Sequence, residues 1–150
     1  MIAERHLLLV EDNPDDEALI MHALQQFELA HRVRIARDGV EALECLHSGH
    51  KGRQNGQPAL PAALITDLKL PRLDGFELLR RVRADEHSCL MPIIILSTSA
   101  PPEEVREAYR LGANSFVVKP TNLDRFVDTM GLLARYWLNV NTTAPLTLFP

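Results

Sequence analysis

The stretch Pro92-Ile93-Ile94-Ile95-Leu96-Ser97, followed at once by Thr98-Ser99, decides the fold. It is nearly all β-branched or leucine, as a central strand of a parallel sheet requires, because such a strand is covered on both faces. On either side of it, other short β-like runs alternate with helical patterns. The runs His6 to Val10, Arg32 to Ala36 and Ala62 to Asp67 precede it, and Ser115 to Val118 follows. Helices are expected from Asp15 to Phe27, with Ala18, Leu19, His22, Ala23 and Phe27 near helical spacing, and from Gly39 to Leu46, with Val40, Leu43 and Leu46 on one side. A third is expected from Asp74 to Ala84, capped by Asp74 and apolar at Phe76, Leu79 and Val82. Two more run from Pro101 to Leu111, stopping at Gly112, and from Asn122 to about Leu138. Strands alternating with helices predict an α/β chain, with a doubly wound parallel sheet of five strands and five helices. Ser48 to Pro61, rich in Gly, Gln, Asn and Pro, reads as an extended surface loop.

In such a sheet, ligands bind outside the carboxyl ends of the strands, near the point where strand order reverses. Polar residues suited to chemistry stand at just those positions. Glu11-Asp12 follow the first strand, Asp67 closes the third, Ser97-Thr98-Ser99 end the fourth, and Lys119-Pro120 follow the fifth. Three crowded carboxylates repel one another and raise each other's pKa. A hard divalent cation relieves that repulsion, and magnesium favours a few carboxylates completed by water or phosphate oxygens. Zinc does not fit, since no histidine follows any of these strands. A carboxylate can also act as a nucleophile and form an acyl phosphate, a reaction that needs positioning and charge neutralisation above all. The metal would cover one phosphoryl oxygen, Lys119 could pair with a second, and the Ser97 hydroxyl with N–H groups after Asp67 could take the third.

The four motifs Val10-Glu11-Asp12-Asn13-Pro14, Thr66-Asp67-Leu68-Lys69-Leu70-Pro71 (with Asp74-Gly75), Leu96-Ser97-Thr98-Ser99 and Val118-Lys119-Pro120, in this order, resemble the receiver domain of two-component response regulators. The resemblance covers Leu7 to Leu138. It implies a flavodoxin-like sheet of strand order 2-1-3-4-5, with a receiver domain over residues 1–138. It also implies site roles: Asp67 as phosphoacceptor; Glu11, Asp12, Asp67 and the Lys69 backbone carbonyl as Mg2+ ligands; Ser97 and Lys119 as the groups that meet the phosphoryl oxygens. Ser97 and Phe116 stand at the family's switch positions, and the Lys119–Pro120 bond is cis in most members. Lys69, Thr98 and Ser99 lie where side chains tune dephosphorylation. Thr98 in place of the commoner Ala narrows access to the phosphate, which predicts a longer phosphorylated lifetime than that of a fast chemotaxis regulator.

Finer details resemble the single-domain regulators paired with bacterial and cyanobacterial phytochromes. They are Asn13-Pro14-Asp15-Asp16, the long loop before the third strand, Ala113-Asn114-Ser115-Phe116 and Tyr136-Trp137-Leu138. The implied partner is a light-sensing histidine kinase. The chain then acts as a signalling phosphoacceptor with self-catalysed phosphorylation and slow autodephosphorylation, and not as an enzyme in the usual sense. Two other readings compete: a pseudo-receiver that binds proteins without phosphate, and a small hydrolase with an Asp nucleophile. The intact Asp12, Asp67, Ser97 and Lys119 argue against the first. Lys69, where that hydrolase family carries a second Asp, argues against the other.

Composition sets the remaining bounds. The chain has 150 residues, 46% of them hydrophobic, and a formal charge of −4. That is one domain's length and not the charge of a nucleic-acid binder. The basic run Arg80-Arg81-Val82-Arg83 reads as a solvated helix face. Cys45 and Cys89 show neither a CxxC pair nor zinc spacing, and no apolar run is long enough for a membrane span. Both observations predict a cytoplasmic protein with free thiols. Residues 139–150 form an apolar tail containing Val140, Leu146, Leu148 and Phe149. It either folds back on its own core or serves, with the last helix, as a homodimer contact.

Overall fold

The computed structural model describes residues 5–51 and 60–145. Five strands, β1 (Leu7–Val10), β2 (Val33–Ala36), β3 (Ala63–Thr66), β4 (Ile93–Ser97) and β5 (Ser115–Val118), form one sheet ordered β2-β1-β3-β4-β5. Every pairing is parallel. Five helices connect and cover them: α1 (Pro14–Gln25), α2 (Gly39–Lys51), α3 (Gly75–Ala84), α4 (Pro102–Arg110) and α5 (Leu123–Arg135). The order reverses at β1, which pairs with β2 on one side and β3 on the other. That is the topological switch point, and it opens a crevice at the carboxyl ends of β1 and β3.

The two faces of the sheet are buried by different helices, which is why β1, β3 and β4 are buried at every position and apolar up to the Thr66 and Ser97 that end β3 and β4. Leu8, Val10, Leu64, Ile93 and Ile95 pack with Leu78, Leu79 and Val82 of α3 and Ala108 of α4. Leu7, Leu9, Ile65, Ile94 and Leu96 pack with Ile20, Ala23 and Leu24 of α1 and Phe126, Met130 and Ala134 of α5. Each fully buried Leu or Ile contributes about 1.5–3 kcal/mol of hydrophobic stabilisation.

Several local expectations shift. The buried face of α1 is Ile20, Ala23 and Leu24, continued by half-buried Phe27, while Ala18 and His22 are exposed. The helix stops at Gln25, so Phe27 lies in the following turn. There its ring packs against Gly131 of α5, where any Cβ would strike it, and Arg135 lies over the ring at 4.6 Å. Helix α2 extends to Lys51, beyond the expected start of the surface loop, and Leu60 and Pro61 at that loop's far end are buried. The rest of the loop, residues 52–59, lies outside the described residues, as do Leu146, Leu148 and Phe149 of the tail. Helix α5 gives way at Tyr136–Val140 to a wider π turn, in which Leu138 is buried. Arg5 donates to the carbonyls of Leu138 (3.3 Å) and Asn141 (3.1 Å) there, tying the turn to the start of β1. The Lys119–Pro120 bond is trans, the lower-energy form of a proline bond where nothing forces the other.

Candidate functional site

Four strand ends meet at the crevice. The register sets Val10 beside Thr66 and Ser97 beside Val118, so the residues that follow these strands line one rim. Backbone bonds fix the rim. The N–H of Glu11 donates to the Ala36 carbonyl at 3.0 Å, and that of Lys119 to the Ser97 carbonyl at 2.7 Å. Helix α3 is drawn in behind Asp67, with the Gly75 N–H donating to the Leu68 carbonyl at 2.9 Å. A side chain at Gly75 would run into the Asp67 carbonyl and the Leu68 backbone, so this close approach requires glycine. Asp74 caps α3, accepting from the Glu77 N–H at 2.9 Å.

Lys119 is the hub. Its ammonium donates to Glu11 Oε2 at 3.0 Å, Asp67 Oδ2 at 3.2 Å and Asp16 Oδ2 at 3.5 Å. The lysine side chain is 8% exposed, against 3% for Glu11, 14% for Asp67 and 39% for Asp16. The site is therefore closed on the Glu11 side and opens progressively toward Asp67 and Asp16. Burial works against the charge on Lys119, but Glu11 and Asp67 outweigh it and lift its pKa above the ordinary lysine value. Burial likewise holds the Glu11 carboxyl above the ordinary carboxylate range, which Lys119 and the Asn13 N–H offset only in part. The ammonium stays charged at neutral pH, and Glu11 makes the shortest of its three contacts.

The other predicted residues stand around this hub. Asp67 Oδ1 accepts from the Lys69 N–H at 3.2 Å, which places the Lys69 backbone beside the carboxylate while its side chain is exposed. Ser97 is buried, and its hydroxyl accepts from the Ser99 N–H at 3.5 Å. Thr98 and Ser99 are exposed on the open side, and Asp12 is exposed at the end of β1. Phe116 is half-buried against the layer formed with α2, α3 and α4. Asp16 stands in the sequence only as part of the Asn13-Pro14-Asp15-Asp16 run, with nothing local to mark it as a site residue. Its approach to Lys119 depends on where α1 begins, which Asn13 fixes by accepting from the N–H groups of Asp15 (2.9 Å) and Asp16 (3.3 Å).

Among the described residues, no three acidic, histidine or cysteine side chains converge into a ready metal cage. Both Glu11 carboxylate oxygens are engaged, one by Lys119 and the other by the Asn13 N–H at 3.2 Å. The remaining donors, the Asp12 and Asp67 carboxylates and a backbone carbonyl, are hard oxygens. That set fits magnesium, which binds through one or two carboxylates and keeps several waters.

Comparison with known proteins gives the same outline. The family model for the response regulator receiver domain matches residues 7–130. The probable methanogenesis regulatory protein FilR2 of Methanothrix harundinacea is 35% identical over 135 residues, 90% of this chain and 84% of that protein. The phosphorylated cyanobacterial phytochrome response regulator RcpA superposes with a TM-score of 0.82 at 30% identity, covering 95% of this chain and all of that one. The Mn2+-bound response regulator Rcp1, which is from a Synechocystis strain, superposes with a TM-score of 0.79 at 28% identity, covering 94% and 99%. With a crevice at the switch point, a lysine held among carboxylates at its centre and a family match over most of its length, this chain belongs to the response regulator receiver family.

Proposed function

We propose that the chain accepts a phosphoryl group onto Asp67 from a sensor histidine kinase, in a magnesium-dependent reaction, and passes the signal on by protein contact. The observation that carries this reading is the Lys119 ammonium, buried and held 3.2 Å from the Asp67 carboxylate on the open side of the crevice. An Asp67 oxygen forms the new bond to phosphorus as the donor's P–N bond breaks, and the donor histidine leaves with that electron pair. Lys119 sits where it can take a phosphoryl oxygen as charge builds, and the nearby Ser97 hydroxyl can take another. Asp12, Asp67 and the Lys69 carbonyl would hold the magnesium, with Glu11 behind them, and the ion would neutralise charge shared between Asp67 and the phosphoryl group. The exposed Lys69, Thr98 and Ser99 would border the path of a hydrolytic water, and Phe116 would respond when Ser97 moves.

Likeness to RcpA over 95% of this chain and all of that one supports a phytochrome-type kinase as the phosphate source. On α5 and its π turn, Leu132, Tyr136 and Val140 are exposed at successive four-residue steps, an apolar stripe that suits a homodimer contact continued by the tail. The test is incubation with magnesium and acetyl phosphate, comparing wild type with Asp67→Asn by intact mass. A stable phosphoprotein that depends on Asp67 supports the proposal. Absence of any modification in the wild type favours a phosphate-independent binding module.

A further inference from the structure

We propose that Asp16 is a positioning residue for Lys119, holding its ammonium back before phosphorylation and releasing it to the phosphoryl group afterward. This rests on Asp67 as phosphoacceptor. A lysine ammonium has three N–H donors and no acceptor. Here all three have carboxylate partners, Glu11, Asp67 and Asp16. To bind a phosphoryl oxygen, Lys119 must redirect one of them. Glu11 is enclosed, with its other oxygen anchored by Asn13, and Asp67 carries the phosphate. Asp16 is the longest of the three contacts and the most exposed, so it is the one that gives way.

Two consequences point the same way. The Asp16 charge makes the open mouth of the crevice more negative, which repels a dianionic phosphate donor. Its contact with Lys119 also competes with the incoming phosphoryl oxygen for the same N–H. Removing the charge relieves both. Asp15, exposed on the same helical turn, supplies an internal control, because neutralising it changes net charge and helix-terminus charge by the same amount.

The experiment compares wild type, Asp16→Asn, Asp16→Glu and Asp15→Asn at saturating magnesium. Asp16→Asn should take phosphate from acetyl phosphate about threefold faster or more at low ionic strength, with the gain shrinking as salt rises. The gain should be smaller with phosphoramidate, which carries less negative charge. Asp16→Glu, which keeps the carboxylate, should fall nearer the wild type, and Asp15→Asn should stay close to it. The NMR signal of the Lys119 ammonium, identified by its loss in Lys119→Met, should shift in Asp16→Asn but not in Asp15→Asn. A rate in Asp16→Asn equal to or below the wild type overturns the proposal, as does an equal gain in Asp15→Asn or an unmoved ammonium signal. Failure of the wild type to take phosphate at all would instead remove the assignment of Asp67.

Discussion

Two cations are anchored at opposite ends of the β4–β5 pair, Lys119 buried and Arg83 half-buried, and they are held in opposite ways. Lys119, at the carboxyl end, is surrounded by three carboxylates. Arg83, at the amino end, meets only neutral acceptors. Its guanidinium donates to the carbonyls of Gly112 (3.0 and 2.8 Å), Cys89 (3.0 Å) and Met91 (2.7 Å), and to Asn114 Oδ1 (2.8 Å). These use all five of its N–H donors. Burial lowers the Arg83 pKa, whereas the carboxylates raise that of Lys119. Arginine's rigid fork suits fixed backbone acceptors, and a lysine's compact ammonium can change partners. The amino end of the sheet is thus bolted, and the carboxyl end is left free to rearrange.

Lys119→Met is the sharpest way to break this contrast. It should slow phosphorylation by acetyl phosphate by about two orders of magnitude, the usual loss when a charge-stabilising donor is removed. The variant also has a pH signature. With its ammonium partner gone, the buried Glu11 carboxyl is raised further, so the native state holds that proton more tightly than the unfolded chain. Stability should therefore be lowest above the raised pKa and recover as pH falls through it, measured by urea unfolding between neutral and mildly acidic pH. A flat profile would detach Glu11 from Lys119.

Arg83→Met should do the reverse. Phosphorylation should stay within about twofold of the wild type, while stability falls by about 3 kcal/mol as several carbonyls lose a charged donor. Arg83→Lys should restore less than half of that loss, because one ammonium cannot reach the fork's positions. Loss of phosphorylation in a folded Arg83→Met would show that the two ends are not independent.

A smaller effect is expected at Gly112, which has a φ of +107° and where a Cβ would stand 2.8 Å from Arg83 Nε. Gly112→Ala should cost about 1–2 kcal/mol, part of it from the left-handed backbone and part from the collision. In the Arg83→Met background the contact with Nε is gone, so the cost should shrink toward the backbone part and the two changes should be non-additive. The smallest effect belongs to His6, just before β1, whose pKa is lowered by burial and by Arg34. The unfolded chain takes up this proton more readily than the native one. Its contribution is therefore complete above the ordinary pKa of 6.5 and declines as pH falls toward the lowered native value. His6→Gln should flatten that slope by a few tenths of a kcal/mol at most.

Much of this was legible in the chain. The apolar runs at β1, β3 and β4 announce strands covered on both faces, and short helical patterns between them leave little choice but a parallel doubly wound sheet. Once that sheet is granted, Glu11, Asp67, Ser97 and Lys119 must share a rim, since each follows a strand. The phase of α1 was less legible: Ala18 and His22 have plausible spacing, but burial is decided by which face meets α5, and that face carries Ile20, Ala23 and Leu24. Arg83 was misread for a similar reason. A run of three arginines on a helix looks solvated, and Arg80 and Arg81 are indeed exposed, yet the third points under the sheet.

By itself, then, the sequence determined the fold class and the residue types gathered at the carboxyl rim, because burial periodicity and strand ends are local properties; the strand order followed only from the resemblance its motifs carry. Which charges pair there was decided only by the tertiary structure. The approach of Asp16 to Lys119, the bond from Lys119 to Glu11 and the bonds of Arg83 to Gly112 and Asn114 all join residues far apart in the chain. Such contacts depend on where helices begin and how closely they dock, and no residue's type or local spacing encodes that distance.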